Sequence, residues 1–92
     1  MYDILPYTKN QAKKIGVKIL PSRKKDKKID VFTKDNDYIC SVGALGYGDF
    51  PTFRKQYGSA FADNKRRLYK MRHEKDRHKV GSRGWFADQL LW

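Results

Sequence analysis

Hydrophobic residues recur at every second position in two stretches of the chain and at helical spacing in others, and these changes of rhythm divide it into elements. After a short apolar lead, Tyr2 to Pro6, the segment Thr8-Lys9-Asn10-Gln11 fits a capping box. In such a box the Thr8 hydroxyl accepts a free backbone N–H and Gln11 reaches back. Tyr7 stands at the staple position facing Ala12, and Gly16 can close the helix as a left-handed cap. A short helix is expected over Lys9–Ile15. Val17–Leu20 reads as a brief strand ended by Pro21. Lys28–Thr33 alternates, with Ile29, Val31 and Thr33 on one face and Asp30 and Phe32 on the other. Lys34-Asp35-Asn36-Asp37 has hairpin-turn chemistry. Tyr38–Val42 returns as the partner strand, its alternation placing Tyr38, Cys40 and Val42 together. A three-stranded antiparallel meander follows.

The loop Gly43–Gly58 concentrates glycines and aromatics. Within it Asp49 can cap a short helix whose first turn accepts Pro51, where a missing N–H costs nothing, and Gly58 can end it. Ser59 then stands as a cap for a second helix, with Asp63 complementing its dipole. From Ala60 the spacing of Phe61, Leu68 and Met71, at 0, 7 and 10, predicts a helix with one thin apolar seam. About 18 residues would span about 27 Å. On it Arg66, Lys70, His73 and Arg77 would form a row. The periodicity fades at Val80-Gly81-Ser82, and Trp85–Trp92 reads as a final aromatic helix. The expected fold is α+β: one domain over residues 1–92, its meander packed with a short N-terminal helix, a long basic helix and a short C-terminal aromatic helix.

Charge gives this outline a direction. The 92 residues carry 21 Lys or Arg against 10 acids, a net charge of +11. Such an excess attracts nucleic acid, an anionic membrane or an acidic protein surface. No apolar run approaches a membrane span, and the N-terminus does not read as a signal peptide, so no membrane partner is expected. The single cysteine, Cys40, forbids an internal disulfide and suits a reducing compartment. Its apolar neighbours make it a strand residue rather than a nucleophile.

Enzymatic chemistry finds little support. His73 and His78 are five apart, about 140° around a helix, where a two-histidine metal face needs a spacing of four. Glu74 and Asp76 are expected to pair with Lys70 and Arg72. The glycines of GALGYG match neither a phosphate-binding loop nor a dinucleotide fingerprint. Asp30, Asp35 and Asp37 are the only acids grouped closely enough to suggest a magnesium site. No catalytic residue, metal, cofactor or small-molecule substrate is therefore assigned. Backbone binding of nucleic acid needs dense cations on a rigid element, and the second half of the chain supplies them: Lys65, Arg66, Arg67, Lys70, Arg72, Lys75, Arg77 and Lys79. The interleaved aromatics either stack on unpaired bases or fill the core. The run Ser22–Lys28 is either a solvated connection or a phosphate-contacting loop. At the C-terminus Trp85, Phe86, Leu90 and Trp92 either close the core or anchor into a neighbouring subunit.

Three phrases, KKIDVF (Lys27–Phe32), GYGDFPTF (Gly46–Phe53) and the stretch from Arg66 to Trp92, resemble a family of small basic proteins encoded by large double-stranded DNA viruses, giant algal viruses among them, and by marine phages. That family has no assigned activity, so no catalytic or binding residue transfers. What the resemblance implies is context: a non-enzymatic viral product, located in the virion and, during assembly, in the host cytoplasm or nucleus. On that basis the chain is expected to be a minor capsid or cement-type structural protein whose partners are other virion proteins, its basic helix facing DNA or an acidic shell surface. The alternative is a sequence-nonspecific protein that compacts or escorts viral DNA, with backbone contacts to the duplex.

Overall fold

A computed structural model describes the whole chain, Met1–Trp92. The fold is α+β, and the chain divides into two compact units, Met1–Tyr47 and Gly48–Trp92.

The first unit holds helix α1 (Pro6–Ile15) and three strands, β1 (Lys18–Pro21), β2 (Lys27–Phe32) and β3 (Tyr38–Ala44). The strands form an antiparallel meander in the order β1-β2-β3, as the alternation predicts. Pairings such as Ile19 with Val31 and Ile29 with Val42 gather the branched residues on one face. There Ile29, Val31, Cys40 and Val42 are buried.

Two local expectations fail in this unit. Helix α1 starts earlier than the capping box implies, because Pro6 lies in its first turn and pre-sets the helical φ. Leu5 becomes the N-cap and offers its carbonyl to the N–H groups of Thr8 and Lys9. Thr8 is thus inside the helix, and its hydroxyl is buried with no hydrogen-bond partner. Replacing it by the isosteric valine removes an unsatisfied polar group, so Thr8→Val should raise stability by about 1 kcal/mol, read from the urea midpoint. Gly16 does close the helix in the left-handed region, at φ 75°. The second correction concerns Tyr38. Val31 pairs with Cys40 but Phe32 pairs with Tyr38, so Ile39 is an extra residue in β3. This bulge reverses the alternation and sends Tyr38 to the face of Phe32 and Asp30, away from Cys40 and Val42.

The second unit holds α2 (Phe50–Tyr57), α3 (Ser59–Arg72) and α4 (Arg83–Leu91). Asp49 caps α2 as expected, accepting the Thr52 N–H at 3.0 Å, and Pro51 sits in the first turn. Gly58 serves two helices at once. Its N–H donates to the Arg54 carbonyl and its own carbonyl accepts from Ala62, at a φ of 91° that favours glycine. Gly58, not Ser59, is therefore the N-cap of α3, and no side chain caps it. Asp63 lies beyond the first turn and pairs with Arg66 at 3.1 Å.

Helix α3 has 14 residues and ends at Arg72 with His73 as its C-cap, well short of the expected length. Beyond Arg72 no apolar residue appears before Val80, so further turns would have nothing to bury, and helix stability comes mainly from packing. The chain instead turns, with Asp76 and Arg77 both donating to the His73 carbonyl. The turn then passes so close to Gly84 that a Cβ there would lie 2.5 Å from the Asp76 carbonyl oxygen. The buried stripe of α3 is also displaced from the expected seam. Ala62 and Tyr69 are buried, whereas Phe61 and Met71 are exposed. Phe61 is held from the side, 5.5 Å from Phe53 and 4.7 Å from Tyr57, centroid to centroid.

Ser82 caps α4 by accepting the Trp85 N–H at 3.2 Å. Phe86, Leu90 and Leu91 are buried, and the Trp92 ring stacks on Tyr69 at 4.3 Å with 6° between planes.

Candidate polyanion interface

The eight cations proposed for anion contact do not form one row. Around α3, Lys65 and Arg72 lie about 140° and about 160° from Lys70. Lys65 leans over the rings of Phe53 and Phe61, at 5.9 and 5.5 Å. Arg66 covers the Phe50 ring at 3.9 Å while bridging to Asp63. The structure does bring Arg67, Lys70 and Arg77 together. With Met71 and Glu74 they line a shallow groove of about 460 Å³. The four-residue spacing from Arg66 to Lys70 holds on the helix, but His73 is its C-cap and Arg77 reaches the groove from the following turn.

Much of that groove's charge is answered internally. The Asp88 carboxylate is buried and takes the Lys70 ammonium at 2.8 Å and the Arg77 guanidinium at 3.8 Å. Arg77 also pairs with Glu74 at 2.7 Å. The expected pairings of Glu74 with Lys70 and of Asp76 with Arg72 thus do not form. The shortened helix moves Glu74 towards Arg77 and His78, both at 2.7 Å. The His78 hydrogen bond, helped by Arg77, holds the Glu74 carboxyl below its ordinary range against the opposing effect of burial. Arg67 meets only neutral groups in the groove, the Asn64 oxygen at 2.8 Å and the Met71 sulfur at 3.5 Å. It is the groove's uncompensated guanidinium. Arg72, Lys75 and Lys79 are exposed.

The two histidines are not paired with each other. His73 stacks on Tyr69 at 4.3 Å and His78 bonds to Glu74. No group of three or more His, Cys, Asp or Glu is placed to hold a metal ion. No helix is long and apolar enough to cross a membrane. Of the residues considered as anchors, Phe86 and Leu90 are buried in the chain, whereas Trp85 and Trp92 keep part of their surface exposed.

A second cationic surface lies on the first unit. Arg23, Lys24 and Lys25 are exposed on the β1–β2 loop, and that loop is pinned. Asp30, 7% exposed, accepts from the Ser22 hydroxyl at 2.5 Å, the Ser41 hydroxyl at 2.6 Å and the Arg23 N–H at 3.2 Å. Ser22 in turn accepts the Lys24 N–H at 3.0 Å. Burial alone would raise the Asp30 pKa, but the two hydroxyls, the Arg23 N–H and the Lys24 charge together lower it. The network continues outward, since the Tyr38 hydroxyl lies 2.7 Å from Ser41 Oγ. That hydrogen bond and the neighbouring Lys24 pull the Tyr38 phenol below its usual range.

Of the three buried aspartates, Asp30, Asp49 and Asp88, sequence reading finds a structural role only for Asp49. A signal exists for the other two: Asp30 in KIDVF and Asp88 in WFADQLLW are single acids inside apolar runs, where burial demands a partner. Comparisons with protein-family models, with curated proteins and with solved structures return no match. The geometry alone therefore defines a class: a small α+β chain with a cationic surface on each of two units.

Proposed function

We propose that the chain binds nucleic acid along its phosphate backbone, without regard to base sequence, as a protein that compacts or escorts DNA. The observation that carries this reading is the surplus of cations. Ten carboxylates cannot neutralise twenty-one Lys and Arg, and Arg67, Arg72, Lys75 and Lys79 stand exposed around the end of α3. Backbone binding needs such cations on a firm support and no groove-reading helix. Titration of a labelled duplex should show affinity falling at least tenfold between 50 and 200 mM salt. Arg67→Gln should reduce the slope of log affinity against log salt by about one, equally for unrelated sequences. A chain that fails to bind duplex at low salt does not have this function.

A second reading is a minor capsid or cement-type protein of a double-stranded DNA virus, its basic surface against DNA or an acidic shell. The resemblance of three segments to viral proteins favours it, as does the partial exposure of Trp85 and Trp92, since tryptophans at a surface suit a protein contact. It requires the protein to co-purify with assembled particles and to stay bound when DNA is digested.

A further inference from the structure

The sheet of the first unit has a second face, and its composition is unusual for a surface. The register places Lys18, Leu20, Asp30, Phe32, Tyr38 and Ser41 on it. Leu20 is 56% exposed and Tyr38 50%. Phe32 meets Tyr38 edge-on, with centroids 5.9 Å apart. A groove of about 510 Å³ runs beside them, lined by Lys18, Ile19, Leu20, Phe32 and Asn36. Cations border this aromatic patch. Lys24 Nζ lies 5.5 Å from the Tyr38 centroid, and Lys18 reaches across to Asn36 at 3.0 Å.

We propose that this face is a stacking platform for single-stranded nucleic acid, with Tyr38 and Phe32 taking bases and Lys18, Arg23, Lys24 and Lys25 taking phosphates. Exposed rings beside lysines are what unpaired strands need, because every base offers a π-face and every link a negative charge. Charge selects this occupant over an apolar one. Asp30, the one acid on the face, is turned inward to two hydroxyls and a backbone N–H, and the one exposed acid of the bordering loop, Asp26, is outnumbered there by Arg23, Lys24 and Lys25. Asp35 and Asp37 sit with Lys34 in the β2–β3 turn, and the strand would pass instead along the β1 side, from Lys18 to the pinned loop. The Tyr38 ring is held ready: its hydroxyl is tied to Ser41, and the Ile39 bulge is what brings it to this face. Lys24 can swing from the ring to a phosphate as a base arrives.

This inference uses residues of a different unit from the α3 groove, so the two can fail separately. The test is fluorescence anisotropy with a labelled oligo-dT of about 15 nucleotides, within the span one small domain covers, against a duplex of equal length. Tyr38→Leu should weaken oligo-dT binding about tenfold and leave duplex binding unchanged. Tyr38→Phe keeps the ring, loses only the hydroxyl's contacts with Ser41 and Lys24, and should bind oligo-dT nearly as wild type does. Arg67→Gln should show the reverse pattern, a loss for duplex with oligo-dT little changed. The proposal is overturned if Tyr38→Leu binds oligo-dT normally, if it loses both ligands equally, or if Tyr38→Phe is as weak as Tyr38→Leu. It is equally overturned if the wild type ignores oligo-dT while binding anionic vesicles or a protein through this face.

Discussion

Asp30→Ala is expected to destabilise the first unit by about 3 kcal/mol. Three donors converge on this carboxylate, the hydroxyls of Ser22 and Ser41 and the Arg23 N–H. Hydrogen bonds to a charged group contribute roughly 1.5–3 kcal/mol each and do not add fully. Alanine removes the acceptor and leaves the Ser41 hydroxyl, 1% exposed, with Tyr38 alone. Small domains have only a few kcal/mol to lose. Asp30→Asn should lose less, because the amide oxygen can still take the hydroxyls while its NH₂ opposes the Arg23 N–H. The pH dependence has a definite sign. The folded pKa is lowered, so the contribution is fully present above the unfolded value near about 3.9 and is lost as pH falls through the folded one. Urea midpoints measured from pH 7 to pH 2.5 should fall for the wild type in that acid range, and less for Asp30→Asn. A midpoint for Asp30→Ala equal to wild type at pH 7 would refute the anchoring role.

The same residue separates what was legible in the chain from what was not. Features written in local chemistry could be read directly. The Asp49 cap with Pro51 behind it, the left-handed Gly16, the break at Gly58 and the hairpin turn at residues 34–37 each follow from a few adjacent residues. The fold class followed from them. Features set by partners distant in sequence were not legible. Thr8 and Gln11 have the letters of a capping box, but Pro6 starts the helix first. The Phe61, Leu68 and Met71 spacing suggests a seam, yet the buried stripe runs through Ala62 and Tyr69, one residue further on. Ala62 is fully buried, yet a small alanine carries no hydrophobic emphasis in sequence. The Ile39 bulge has no local signature, and it alone decides that Tyr38 faces Asp30.

The cationic site was legible as composition and not as geometry. Counting Lys and Arg located the charge, but charge runs look alike whether solvated or clamped. Arg67 and Lys70 are three apart in one helix and have opposite fates. Arg67 contacts only neutral atoms, while Lys70 is held by a buried acid eighteen residues away. Roles assigned by spacing alone would treat them as equivalent.

Lys70→Met should therefore report folding before it reports binding, with an expected loss of about 2–3 kcal/mol. Asp88 is 4% exposed, and its carboxylate joins α4 to α3 through Lys70 and to the post-helix turn through Arg77. Methionine keeps the apolar stem of lysine and deletes only the ammonium, leaving the buried charge to Arg77 at 3.8 Å. Breaking one side of a buried pair can cost 3–5 kcal/mol. The Lys70 side chain is 33% exposed, and water screening there reduces the figure. Replacing both partners, Lys70→Met with Asp88→Leu, removes the stranded charge and should recover most of the loss, since a well-packed apolar substitute for an ion pair can be nearly neutral. Arg67→Gln breaks no ion pair and should leave the urea midpoint within about 0.5 kcal/mol of wild type while lowering duplex affinity. The opposite outcome, a stable Lys70→Met beside an unstable Arg67→Gln, would mean that the carboxylate of Asp88 is held by something other than this clamp.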